Sequence, residues 1–229
     1  MNFTIKNVID QLVREGYNID KRPSALNIVG IRNNKPVSPS EFDDLIVFFY
    51  YDKDGKVKGS ICPATTDPSV DYLRNPLSEA KKLGGTAILK SGQYVDTYEI
   101  GYHKGEYLAL VQRLRPVTVI RDDDRDAFIN YLAPTTTGFY GINIHRASKG
   151  KNNEKIIGLD SAGCQVFRDE KDFDEMMVLA SRHRSLYGNK FTYTLIDLRD
   201  AIKFRNTTIF VIVGLLVAYS GYLYYKFKK

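Results

Sequence analysis

The sequence predicts a mainly-β (α+β) domain followed by a C-terminal membrane anchor, and three observations carry that expectation. Strand-length runs of β-branched and aromatic residues follow one another directly, where a doubly wound parallel sheet would alternate them with helices. Gly-containing turn pairs separate several of those runs at hairpin spacing. The chain then closes on 20 uncharged, largely apolar residues at 206–225.

Taken in order, residues 4–16 predict an amphipathic helix. Thr4 suits the N-cap, Phe3 can staple onto Val8, and Gly16 can end the helix. Ile5, Val8, Ile9 and Leu12 form its apolar stripe. Segments 25–32 (ALNIVGIR) and 44–51 (DLIVFFYY) predict strands, and Asp54-Gly55 turns the second into a return strand over 56–62. Residues 63–76, with Pro63 and Pro68, predict a loop. Further strands follow at 86–89, 94–100, 107–112 and 117–121. A helix is expected at 124–132, a strand at 140–145, a second amphipathic helix at 172–185 with Phe173, Met176, Met177 and Ala180 inward, and a last strand at 191–196.

Of the 229 residues, 43% are hydrophobic and 12% aromatic, which excludes a disordered chain and supplies a core for one domain. Two cysteines exclude a disulfide framework and a four-thiolate zinc site. The N-terminus has no continuous apolar h-region, so no secretory signal is expected. At ~1.5 Å per residue, segment 206–225 spans ~30 Å, the thickness of a bilayer's hydrocarbon core. Lys203 and Arg205 precede it, and Lys226, Lys228 and Lys229 close it; Tyr219, Tyr222, Tyr224 and Tyr225 suit a headgroup interface. The net charge of +6 raises nucleic acid or a membrane as partners. Removing the three terminal lysines leaves 30 basic against 27 acidic residues in 1–225, so no nucleic-acid partner is expected.

Two segments carry candidate chemistry. One is G-I-N-I-H-R-A-S at 141–148, placing His145 on a strand; the other is D-S-A-G-C-Q-V-F at 160–167, placing Cys164 after a turn of small residues. A thiol needs a neighbouring base to react at neutral pH, and an imidazole supplies one. Ser161, Ala162 and Gly163 allow backbone N–H groups to approach a developing oxyanion.

The pair, with eighteen residues between His145 and Cys164, resembles the signature of the L,D-transpeptidase catalytic domain, a His followed by S-x-G-C. The resemblance extends over about 84–197, including G-T-A-I-L-K-S-G-Q-Y from Gly85. The wider arrangement is similar to phage-borne members from Bacteroidetes hosts. It implies a β-sandwich fold, no cofactor, and thioester chemistry on peptidoglycan stem peptides. With the span 206–225 and the basic tail 226–229 read from hydropathy, the resemblance implies a region 1–83 packed on a catalytic region 84–205. By that resemblance Cys164 is the nucleophile, His145 the base, the Arg146 carbonyl the orienter of the imidazole, and N–H groups at Gly163 and Cys164 the oxyanion donors. Ser161, His103 and the loop cations Arg146, Lys149 and Lys151 are candidates for substrate contact. The motif departs from its commonest form at Ala162, where a His is usual, and at Val166, where Arg or Asn is frequent; hydrolysis of the stem peptide competes with cross-linking for that reason.

Alternatives stay open. His183 after Cys164 suits the order of an NlpC/P60-type peptidase. Asp122, Asp124 and Asp126 alternate like a calcium loop but lack its Gly and Glu, having Ala127 and Ala133 there. A non-catalytic attachment or structural protein of a membrane-containing phage virion, with other virion proteins as partners, is the rival from another class. The expected location is a single-pass anchor in a virion or host inner membrane.

Overall fold

Alternating inward and outward residues build the molecule as a closed barrel. The computed structural model describes residues 4–33, 40–148 and 155–200. In chain order the elements are α1 (Ile5–Arg14), β1 (Asn27–Arg32), β2 (Asp44–Tyr51), β3 (Val57–Thr65), α2 (Val70–Arg74), α3 (Ser78–Lys82), β4 (Thr86–Leu89), β5 (Gly92–His103), β6 (Tyr107–Gln112), β7 (Val117–Asp122), β8 (Thr135–Gly138), β9 (Ile144–Arg146), β10 (Gln165–Phe167), α4 (Glu170–Tyr187) and β11 (Phe191–Asp197). Eight strands close in the order β1-β11-β5-β6-β9-β10-β3-β2, and β4-β7-β8 form a separate sheet. The chain is therefore mainly β as expected. Its strands close on themselves instead of forming the two facing sheets of a sandwich. Closure comes from pairings the local pattern does not encode: β1 with β11 and β9 with β10 run parallel, while the other barrel pairs are antiparallel. The three strands of 1–83 lie side by side as one arc of the barrel, and the five from 84–205 complete it.

The two faces of β1 show how the barrel is filled. Ile28 points into the main core with Ile46, Phe48, Tyr98 and Tyr193. Val29 and Ile31 point outward under Val8 and Leu12 of α1. Gly30 is required on the inner face, because a Cβ there would stand 1.9 Å from the Tyr193 hydroxyl. Thr4 caps α1 and Gly16 ends it in a left-handed conformation at φ 72°, as the sequence predicts. Phe173, Met176 and Ala180 of α4 and Ala87, Leu89, Val117 and Val119 of the small sheet join the same core. They do so from opposite ends of β1. The N–H of Leu26 donates to Nδ1 of His183 on α4, whereas Arg32 donates to the Leu89 carbonyl on β4.

Three expected elements differ. The 124–132 segment is turns, not helix. Asp122 accepts from the N–H groups of Asp124 and Asn130, Asp126 from Phe128 and Asn130 from Leu132, and Arg125 takes φ 58°. Short polar side chains have there captured the N–H groups a helix would need. The strand expected at 140–145 begins only at Ile144, while Thr135–Gly138 pairs with β7 instead. The 63–76 loop contains the end of β3 and the short α2. Among the described residues no helix is long and apolar enough to cross a membrane; the predicted span 206–225 and basic tail lie outside them. Phe3, Lys149 and Lys151 lie outside them too.

Candidate functional site

Parallel pairing of β9 with β10 brings the two motif segments side by side. The register sets His145 against Val166, with Ile144 and Phe167 both turned into the core. Alternation then sends His145 and Val166 to the outer face. Cys164 stands one residue before β10 and packs beside Phe42, Ala147, Ile157 and Val166. Its Sγ accepts from the Asn143 N–H at 3.4 Å and donates to the Gly141 carbonyl at 3.4 Å. Burial raises the Cys164 thiol above its ordinary range against the opposing Asn143 bond. Among the described residues, Cys164 and His145 share no hydrogen bond.

The imidazole is held in one tautomer. His145 Nδ1 lies 2.7 Å from the Arg146 carbonyl, an acceptor without a proton, so Nδ1 carries the hydrogen and Nε2 the lone pair. Tyr107 reinforces the arrangement, its hydroxyl donating to the same carbonyl at 3.3 Å. The Arg146 side chain is engaged elsewhere: its guanidinium covers the Tyr107 ring at 4.4 Å and pairs with Glu170 at 3.4 Å. The backbone of Arg146 thus stands where the motif expects an orienter, while its side chain is not a loose cation awaiting a carboxylate.

His103 corrects an expectation. Its place beside the Lys104-Gly105 turn predicts an exposed side chain, yet it is 5% exposed, and its ring stacks on that of His145 at 4.1 Å between centroids and 22° between planes. Asn143 Oδ1 accepts from the Gln112 N–H at 2.9 Å, so its amide NH₂ faces His103 Nδ1 at 3.1 Å. Burial foremost, then the neighbouring His103, pushes the His145 pKa down to about 3; burial and Lys104 push that of His103 down to about 4. Both rings are neutral at pH 7. A cleft of about 330 Å³ opens beside them, lined by His103, Lys104, Tyr107, His145, Arg146 and Asp160 among others. Cys164 is not in that lining.

Ser161 and Gly163 have different work from that expected. Ser161 is fully buried, so it has no surface to give a substrate. Its hydroxyl lies 2.8 Å from the Asp67 carbonyl and 2.9 Å from that of Cys164, and it accepts from the Gly163 N–H at 3.3 Å. That N–H is therefore engaged within the turn and not directed at an oxyanion. Gly163 is required sterically, since φ is 118° and a Cβ would stand 2.2 Å from the Ala87 carbonyl of β4. Ser161→Ala is expected to lower stability by about 1–2 kcal/mol, because it leaves a buried N–H without its acceptor; thermal denaturation checks this.

His183 accepts from Leu26 N–H and packs on Tyr187 and Phe191, which makes it a core residue of the α4 end. Cys62 is buried, and burial foremost raises its thiol far out of the reactive range. Tyr107 and Asn143 escaped the sequence reading. Asn143 left one signal, a polar residue two before His145 and flanked by Ile142 and Ile144. Comparison with models of known protein families and with curated proteins finds no match for the chain.

Proposed function

We propose that the chain is a membrane-anchored cysteine enzyme of L,D-transpeptidase type, acting on peptidoglycan stem peptides from a phage virion during cell-wall penetration. The observation that supports it best is the fixed imidazole: Nδ1 bonded to the Arg146 carbonyl leaves Nε2 as a base, on the strand paired with the one that Cys164 immediately precedes. In the reaction, Nε2 takes the Cys164 proton as Sγ bonds to a stem-peptide carbonyl carbon. The tetrahedral adduct collapses, the C–N bond breaks, and the leaving amine takes the proton from the imidazole. Water or an amine then attacks the thioester, giving hydrolysis or a cross-link. Residues 206–225 hold the domain at the membrane.

A carbapenem or an activated stem-peptide ester is expected to add one acyl group to Cys164 of the folded protein, and none to Cys164→Ala. Mass spectrometry reads both. A folded protein with no adduct rejects the nucleophile.

A specific observation favours a second reading, a non-catalytic attachment or structural component of a virion. The thiol is held between Asn143 and Gly141 and not by the imidazole. Wall-degrading activity that disappears in Cys164→Ala would remove it.

A further inference from the structure

The loop between β7 and β8 carries two large apolar side chains in water: Leu132 is 91% exposed and Phe128 67%. Scattered apolar residues on a surface are ordinary. The place of these two is not. Tyr131, beside Leu132, is fixed inward, its hydroxyl donating to Asp67 at 3.0 Å and its ring lying 3.2 Å from the Arg199 guanidinium. Arg199 is itself gripped by Asp197, the last residue of β11, through bonds of 2.8 and 2.5 Å. Ser91 holds the next residue, Asp200, at 2.6 Å. The loop is thereby pinned to the point where the chain leaves the barrel.

From Asp200 to Asn206, where the uncharged segment starts, is six residues. Even fully extended they reach only ~20 Å. An anchor starting there keeps this end of the barrel close to the bilayer surface. The opposite end, where His183 of α4 meets Leu26, is turned away.

We infer that the 123–134 loop is a second membrane contact, in which Phe128 and Leu132 enter the interfacial layer of the bilayer that holds residues 206–225. The inference rests on the anchor reading of that segment. The loop's exposed charges are Asp123, Asp124 and Asp126 against Arg125 alone. An anionic surface would repel it, so the partner is a zwitterionic lipid surface and the contact is apolar. Two attachments set the tilt of the domain, where one tether would leave it free to swing.

The chain has no tryptophan, so one substitution gives a clean probe. The full chain is reconstituted in phosphatidylcholine nanodiscs with and without brominated phosphatidylcholine, as Leu132→Trp, as Leu186→Trp at the far end of the domain, and as Leu215→Trp within the predicted span. Leu186 is 54% exposed on α4. The expected result is a blue-shifted, strongly quenched Leu132→Trp beside an unquenched Leu186→Trp. If Leu132→Trp matches Leu186→Trp while Leu215→Trp is quenched, the loop contact is wrong and the anchor stands. An unquenched Leu215→Trp overturns the anchor reading, and the inference with it. Equal quenching of Leu132→Trp and Leu186→Trp shows non-specific adsorption and also overturns the inference.

Discussion

Arg32→Met is expected to destabilise the fold by about 3–5 kcal/mol, a fall in Tm on the order of 10 °C. The side chain is 1% exposed at the end of β1, pointing into the barrel mouth. Its guanidinium donates to the carbonyls of Leu89 and Thr66 at 2.9 and 2.7 Å, and stands 2.8 Å from Asp67 and 3.7 Å from Asp197. Asp44, also buried, accepts from Asn33 and Thr66 alongside. Methionine fills a similar volume but leaves carboxylates in a dry site without their cation. The loss depends on pH. Burial, then the charge of Asp67, already holds Asp44 up at about 7 against the pull of Arg32. A carboxyl whose folded pKa is raised binds more protons folded than unfolded, so its burial favours folding at low pH and penalises it as pH climbs through that value. Without Arg32 the carboxyl rises further, and the deficit of the variant is larger at about pH 8 than at about pH 5. Thermal denaturation of the full chain in mild detergent at the two pH values reads both effects. Arg32→Lys keeps the charge but loses the planar fork, and falls between the two.

Arg32 also marks the boundary of what the sequence discloses. Read locally, A-L-N-I-V-G-I-R is a strand ending in a surface cation. Its burial follows only from the distant pairing with β11 and from the lid of β4. Local periodicity located α1, β1 to β3 and α4 because each has an apolar stripe or alternation that a single element satisfies by itself. Barrel closure was not legible, since β1 meets β11 and β6 meets β9 through partners far apart in the chain. The same limit governs the site. Two short motifs single out His145 and Cys164, and the family resemblance points to the Arg146 carbonyl beside the imidazole. The stack of His103 on His145 could not be read from them, because strand β5 brings His103 in from 42 residues upstream. At 124–132 the reason is local: the carboxylates of Asp122 and Asp126 and the amide of Asn130 take the backbone N–H groups that the expected helix would need.

The largest functional effect is expected at His145. In His145→Ala, acylation of Cys164 at neutral pH should slow by about 10²–10⁴-fold, the usual contribution of a general base. Its distinctive mark is the pH profile of the parent protein. An imidazole must be unprotonated to accept the thiol proton, and burial has moved its titration down to about 3. The acid limb of the rate therefore lies near there, well below the ordinary histidine value of about 6.5. Burial also raises the thiol, so at pH 7 the pair rests as neutral thiol and neutral imidazole, not as an ion pair. Without His145, the rate should simply climb with thiolate concentration into the alkaline range. His103→Ala opens the stacked face of the ring to water and removes its nearest neighbour, which raises the His145 pKa and shifts the acid limb upward. Single-turnover acylation against pH, for the parent and both variants, compares these three curves. A parent profile that follows thiolate concentration alone would mean that His145 takes no proton from Cys164. The ring would then be part of the barrel wall, and the non-catalytic reading would prevail.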